Sequence, residues 1–207
     1  MGGGNSKCEY ARFIKGTEER GFSEHLCNYV NVDPNLLTAS VSEDIPTVFH
    51  AWEKTCSRLK HGKFLGHRDE KMEGRPYKWM SWFESYEYVN NLARGFKALG
   101  MMPDVEAEGK IWNFMGIYAK NRPEWVLADL ASASIGGTTI AFYDTLGPQA
   151  IEFVISQTEL STIVLAGNSL SKIILLKSQG KAQSIKYLIS MDDFDKSVQK
   201  DGEDVGI

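Results

Sequence analysis

A chain of 207 residues, 43% hydrophobic and 11% aromatic, has enough apolar side chain to bury a core, which excludes a disordered or fibrous polymer. Its formal net charge of −4 and pI near 5.6 argue against the basic stripe of a nucleic-acid surface. No apolar run approaches the roughly 20 residues of a membrane-spanning helix, and the first twenty residues lack the apolar centre of a secretory signal.

The chain opens Met1-Gly2-Gly3-Gly4-Asn5-Ser6-Lys7-Cys8. This satisfies the myristoylation pattern, with Gly2 supplying the amine once Met1 is removed and Ser6 at the required offset. One myristoyl chain binds a membrane only marginally, with a constant of about 10⁴ M⁻¹, so a stable anchor needs a second signal. S-palmitoylation of Cys8 is the expected one, because Lys7, Arg12, Lys15 and Arg20 are interleaved with Glu9, Glu18 and Glu19 and form no polybasic patch. The alternative is a flexible, unmodified, Gly-rich start. The expected location is the cytoplasmic face of a membrane, peripheral and lipid-anchored, with no transmembrane segment.

Cys8, Cys27 and Cys56 are odd in number and lack C-x-x-C spacing, and His25, His50, His61 and His67 are scattered. No metal site is expected, and a reducing, intracellular compartment fits. Residues 1–44 read as anchor and lead-in, with a turn at Asp33-Pro34. Over 46–59, Val48, Trp52, Thr55, Cys56 and Leu59 fall on one helical face, with Pro46 suited to an early helical position. Residues 76–80 look extended. Ser81 and Glu84 then make a capping box ahead of Phe83, Tyr86, Val89, Ala93, Phe96 and Leu99 at helical spacing, and Gly100 ends the run.

After a polar loop, residues 110–119 predict a buried strand. Asn121 and Glu124 repeat the capping pattern before a helix burying Leu127, Leu130, Ala131 and Ser134, closed by Gly136-Gly137. A strand is expected at 138–142, a helix from near Pro148 with Ile151, Val154 and Ile155 buried, a strand at 162–166, a helix at 169–178 and a strand at 185–190. Residues 192–207 read as a polar loop or frayed end. Alternating strands and helices imply an α/β fold, a mostly parallel sheet with helices on both faces. Trp79, Val89, Phe96, Ile117, Leu130 and Ile140 are the expected core.

The segments PYKWMSW (76–82), LARGFKALG (92–100), IYAKNRPEWVLADL (117–130) and FYDTLGP (142–148) resemble the long-chain fatty acyl-CoA synthetases of the adenylate-forming superfamily. The resemblance runs from about Ile45 to Phe194. It implies that 45–194 are an early part of the large amino-terminal domain, between the anchor and lead-in at 1–44 and a polar tail at 195–207. It also implies activation of a fatty acid with ATP and magnesium to an acyl-adenylate, then transfer of the acyl group to coenzyme A.

The family's phosphate loop, its later adenylate-binding motifs and its catalytic lysine lie further along and are not among these residues. A phosphate cradle needs converging backbone N–H groups and a lysine; Ile135–Thr139 (IGGTT) opens a strand and has no lysine following it. Catalytic residues are therefore none, and the chain alone is expected to be inactive and to bind no cofactor. Tyr143 and Asp144 follow a strand, where parallel sheets place ligands, but an Asp there is expected to be a turn or cap residue. Arg122 and Trp125 read as a helix-start device, and Asp192, Asp193 and Asp195 as solvated. Two readings remain: an amino-terminal segment of a fatty acid–CoA ligase, or a lipid-anchored interaction module docking on a complete synthetase or another membrane protein. Self-association or a partner chain is expected for an incompletely covered sheet.

Overall fold

A computed structural model describes residues 11–28, 40 and 42–207. Gly2 and Cys8 lie outside the described residues. The chain divides into two compact units, with the boundary between His50 and Ala51. Within the first unit, the expected lead-in contains a small hairpin: β1 (Ala11–Phe13) pairs antiparallel with β2 (Leu26–Asn28), placing Arg12 opposite the buried Cys27. The ladder continues through Ile14 N–H to His25 O at 2.8 Å, and Thr17 Oγ1 accepts the His25 N–H at 2.8 Å.

α1 (Val48–Arg58) forms where the periodicity predicts, with Trp52 and Cys56 buried. Val48 and Leu59, expected on the same face, are exposed, because the packing is concentrated on the middle turns, where Trp52 stacks on Tyr86 at 6.0 Å. In the second unit, β3 (Lys63–Arg68) and β4 (Tyr77–Ser81) form an antiparallel pair with a bulge between Lys63 and Leu65. Trp79, expected in the core, is 46% exposed. A two-stranded ribbon has an uncovered face, and alternation puts Trp79 on it.

The Ser81–Glu84 capping box is present at the start of α2 (Trp82–Ala98): Glu84 N–H donates to Ser81 Oγ at 3.2 Å, and Ser81 N–H donates to Glu84 Oε2 at 2.8 Å. Those bonds, the backbone one first, hold the Glu84 carboxyl below its usual range. Val89, Ala93 and Phe96 are buried, whereas Phe83 and Leu99 near the helix ends are exposed. The polar loop expected after Gly100 contains β5 (Asp104–Ala107), which forms a hairpin with β6 (Lys110–Tyr118). Glu108 and Gly109 both have positive φ (52° and 70°), the signature of a tight turn whose twist suits antiparallel strands.

β6 is the centre of the sheet. It pairs in parallel with β7 (Thr138–Phe142) and with β8 (Thr162–Leu165), and β8 pairs with β9 (Tyr187–Ser190), giving the order β7-β6-β8-β9 with Phe142, Tyr118, Leu165 and Ser190 aligned at the carboxyl edge. The links are α3 (Pro123–Ser134), α4 (Pro148–Thr158) and α5 (Leu170–Ser178), the last entered through a short 3-10 turn at Gly167–Ser169. The first crossover moves one way along the sheet and the next two move back. Right-handed crossovers therefore put α3 on one face and α4 and α5 on the other. Alternation along the strands agrees: Tyr118, Phe142, Ile163 and Leu165 pack with Ile151, Ile155 and Ile173, while Met115, Ile117 and Val164 are buried on the opposite pleat and α3 packs on α2. Ile140 is partly buried against the first of these clusters.

Residues 196–204, expected to be loop, form α6 (Lys196–Asp204). Its polar sequence conceals Val198 and Gly202 four residues apart, and Val198 packs against the core. Gly202 is buried, and a Cβ there would lie 3.8 Å from Ile174 Cδ1. Lys177 Nζ, buried in α5, donates to the Ile185 carbonyl and, at 3.2 Å, to the Gly206 carbonyl. Burial lowers the Lys177 pKa.

Candidate functional site

A cleft of about 830 Å³ opens at the carboxyl edge of the parallel strands. That volume lies within the range of small-molecule sites. Its walls are the segments leaving each strand: Ala119–Glu124 after β6, Asp144 after β7, Ala166–Ser169 after β8, and Asp192 and Asp193 after β9. The cleft lies where the chain direction reverses, because β6 feeds its crossover toward β7 and its neighbour β8 feeds the other way. Ligands of open α/β sheets bind at such points.

Arg122 holds the cleft together. Its Nε donates to Glu124 Oε2 at 2.7 Å, its Nη1 donates to both oxygens of Asp192 at 2.8 and 2.9 Å, and its Nη2 donates to the Met191 carbonyl at 3.3 Å. The turn after β6 is thereby tied to the end of β9, on the far side of β8. Asp192 Oδ2 also accepts the Gly167 N–H at 2.8 Å, and a Cβ at Gly167 would come within 3.2 Å of Asp192 Cβ. The Gly167 amide and then Arg122 hold the Asp192 carboxyl below its usual range. Burial is the largest single influence on the Glu124 carboxyl and pushes it up, but its bond to Arg122, a backbone hydrogen bond and the nearby positive charge of Arg122 together bring the net shift downward.

Arg122 is the N-cap residue of α3 and makes no side-chain cap bond; Pro123 occupies the first turn. The capping box expected from Asn121 and Glu124 is not formed, because Arg122 is the N-cap and Glu124 falls at the second helical position, not the third, where its carboxylate takes the guanidinium. By local spacing Arg122 is a helix-start device and Asp192 one of several solvated acids. Seventy residues of chain separate them, so no local pattern could pair them. Asp144 lies in a turn and pairs with Lys120 at 3.4 Å, both well exposed. Lys172 Nζ sits 5.7 Å from the Tyr118 ring centroid, and the buried Tyr118 hydroxyl has no hydrogen-bond partner among the described residues.

The Gly136-Gly137 pair takes no part in the cleft. Gly136 has φ +82° just beyond α3, and Gly137 is wedged against it: a Cβ there would run into Ser132 Oγ and lie 2.8 Å from Met102 Sδ. Both precede β7 and so stand at the amino edge of the sheet, opposite the cleft. Among the described residues no group of His, Cys, Asp and Glu could hold a metal ion, and no helix is long and apolar enough to cross a membrane.

Residues 64–206 match the AMP-binding enzyme family. The chain is 28% identical over 175 residues to long-chain-fatty-acid–CoA ligase 6 of Homo sapiens, covering 84% of this chain and 24% of that protein. It is 30% identical over 166 residues to long-chain-fatty-acid–CoA ligase 5 of Rattus norvegicus, covering 79% and 23%. It thus spans about a quarter of the length of these relatives. The fold superposes with a TM-score of 0.64 on the adenylation domain of a carboxylate reductase from Mycobacterium chelonae, at 13% identity, covering 77% of this chain and 26% of that one. An α/β sheet with a switch-point cleft and a family match across more than half of its residues make this chain a member of the AMP-binding enzyme family, with long-chain-fatty-acid–CoA ligases among its relatives.

Proposed function

We propose that this chain carries an early part of the large domain of a long-chain fatty acid–CoA ligase and does not catalyse that reaction alone. One observation carries the reading. The A-K-N-R-P-E-W and Y-D-T-L-G-P segments, about two dozen residues apart, both contribute to the walls of one cleft, through Lys120, Asn121, Arg122, Pro123 and Glu124 from the first and Asp144 from the second. In a complete ligase the substrates are a fatty acid, ATP with magnesium, and coenzyme A. Here two cations of the cleft, Arg122 and Lys120, are paired with carboxylates, Lys172 sits beside the Tyr118 ring, and the glycine pair stands at the opposite edge. The 207-residue chain, incubated with a long-chain fatty acid, ATP, magnesium and coenzyme A, is expected to release no pyrophosphate above a blank without protein. Fatty-acid-dependent release would refute this.

The proposal extends to an anchor at Gly2 and Cys8, supported by the terminal motif alone. Intact-mass measurement of the terminal peptide should find myristate on Gly2 and palmitate on Cys8; an unmodified Gly2 in protein recovered from the soluble fraction of its own cells would remove the anchor. A second reading, an interaction module docking on a complete synthetase or another partner, is supported by β7. This strand pairs only with β6 among the described residues, and Thr138, Thr139 and Ile140 are only half-buried, an edge of the kind that invites pairing. A stable complex with a full-length synthetase, lost when Thr139 is replaced by Pro, would favour this second reading.

A further inference from the structure

The β3–β4 hairpin presents exposed aromatic side chains that have no part in the cleft. Its register places Tyr77 opposite Arg68 and Trp79 opposite Gly66, so these four positions share one face. Trp79 lies flat on the strand, where a Cβ at position 66 would come within 2.8 Å of the indole; only glycine permits that approach. The Tyr77 and Trp79 rings are 5.5 Å apart and remain 52% and 46% exposed. Each has its own cation: Arg68 sits 4.3 Å over Tyr77, and Lys63 Nζ lies 5.4 Å from Trp79. In the connecting loop, between Lys71 and Arg75, Met72 is exposed.

Charge follows the same pattern. The stretch 60–79 holds Lys60, Lys63, Arg68, Lys71, Arg75 and Lys78 against Asp69, Glu70 and Glu73, in a chain that is acidic as a whole. Asp69 is paired with Lys78 at 3.1 Å, and Glu70 with Arg75. Lys63, Arg68 and Lys71 have no acidic partner among the described residues.

We propose that this face of the hairpin docks on an anionic phospholipid surface. Tyr77 and Trp79 enter the boundary between headgroups and acyl chains, and Lys63 and Arg68 meet the phosphates. Indole and phenol rings favour that depth because one end is apolar and the other polar. Long cationic stems lie along apolar surface while their heads stay in water, and each cation is drawn to the negative leaflet. A single-stranded nucleic acid would need open ring faces for base stacking, and here the protein's own cations cover them. A second copy of the same face would bring like charges together. The contact is independent of acylation at Gly2 and Cys8.

The test is sedimentation of the full, unacylated chain with vesicles of equal parts phosphatidylcholine and phosphatidylserine, and with phosphatidylcholine alone. Binding is expected to the mixed vesicles only, weakening as salt is raised. Arg68→Glu should weaken it about thirtyfold, since reversal changes two charges at the surface, while the melting midpoint falls by only a few degrees at most, because the contacts it loses, the Tyr77 ring and the Arg75 carbonyl at 3.0 Å, are exposed. Trp79→Ala should weaken it about tenfold, and quenching of tryptophan emission by brominated lipid should be seen in wild type and lost in Trp79→Phe. No binding to mixed vesicles, equal binding to neutral ones, or binding untouched by Arg68→Glu would overturn the proposal. So would tighter binding to a single-stranded oligonucleotide, or a dimer in the ultracentrifuge that Arg68→Glu dissolves.

Discussion

Cys56 illustrates how a side chain's chemistry is set by what surrounds it. Burial pushes its thiol up to about 11, against a smaller lowering from its hydrogen bond with Ser85. Since the thiolate is the reactive form, the native thiol is inert at neutral pH. Iodoacetamide at pH 8 should leave the Cys56 peptide unmodified in the folded chain and alkylate it in denaturant; equal labelling in both would contradict the burial. The folded value lies above the ordinary 9.0, so its contribution to stability is fully present below pH 9 and is lost as pH rises toward 11. The glycines of the sheet carry similar information. A Cβ on Gly116 would lie 2.9 Å from Leu160 Cδ2 and 3.0 Å from Ile163 Cγ1, so the glycine allows α4's exit and β8 to close on the central strand.

At the scale of elements, α2 shows a helix whose start is local and whose stability is tertiary. Its capping box requires only residues three apart in sequence, which is why it could be read directly. Its anchorage depends on Phe96, which is 1% exposed. Phe96→Ala should cost about 3 to 5 kcal/mol through lost transfer energy and a cavity, measured as a fall in denaturation midpoint. Gly137→Ala should cost about 1 to 3 kcal/mol by overpacking, because Ser132, one of the groups the new methyl would meet, is buried in α3. An unchanged midpoint in either variant would contradict the packing described. α6 is the reverse case: local polarity suggests a frayed end, and packing of Val198 on the core and of Gly202 near Ile174 holds a helix, with Lys177 fixing the chain just beyond it at the Gly206 carbonyl.

For the whole molecule, the longest-range link described in the cleft is Arg122 to Asp192. An ion pair of this exposure contributes on the order of 1 kcal/mol. Arg122→Met should therefore lower the melting midpoint by about 2 to 4 °C at pH 7. The folded carboxyls of Asp192 and Glu124 are depressed below their ordinary 3.8 and 4.5. Their contribution is thus fully present above those values and lost as pH falls through the depressed ones. The wild-type midpoint should drop on acidification below about pH 4.5, and the difference between wild type and Arg122→Met should shrink there; a difference constant down to pH 2 would show that the pair is not what Arg122 contributes. The alternation of strands and helices, the buried strands and the α/β class were legible in the amino-acid sequence because each depends on spacings of two to four residues. The short strands β3 and β5 were not, since pairing with a neighbour defines them more than their own composition does. Trp79 was expected inside because it is aromatic and extended, but whether a strand face is covered depends on which sheet the strand joins. In the same way, the sequence alone determined that Arg122 opens a helix and that Asp192 is acidic. Only the tertiary structure decided that they meet, because a parallel sheet brings the ends of β6 and β9 to one edge whatever the length of chain between them.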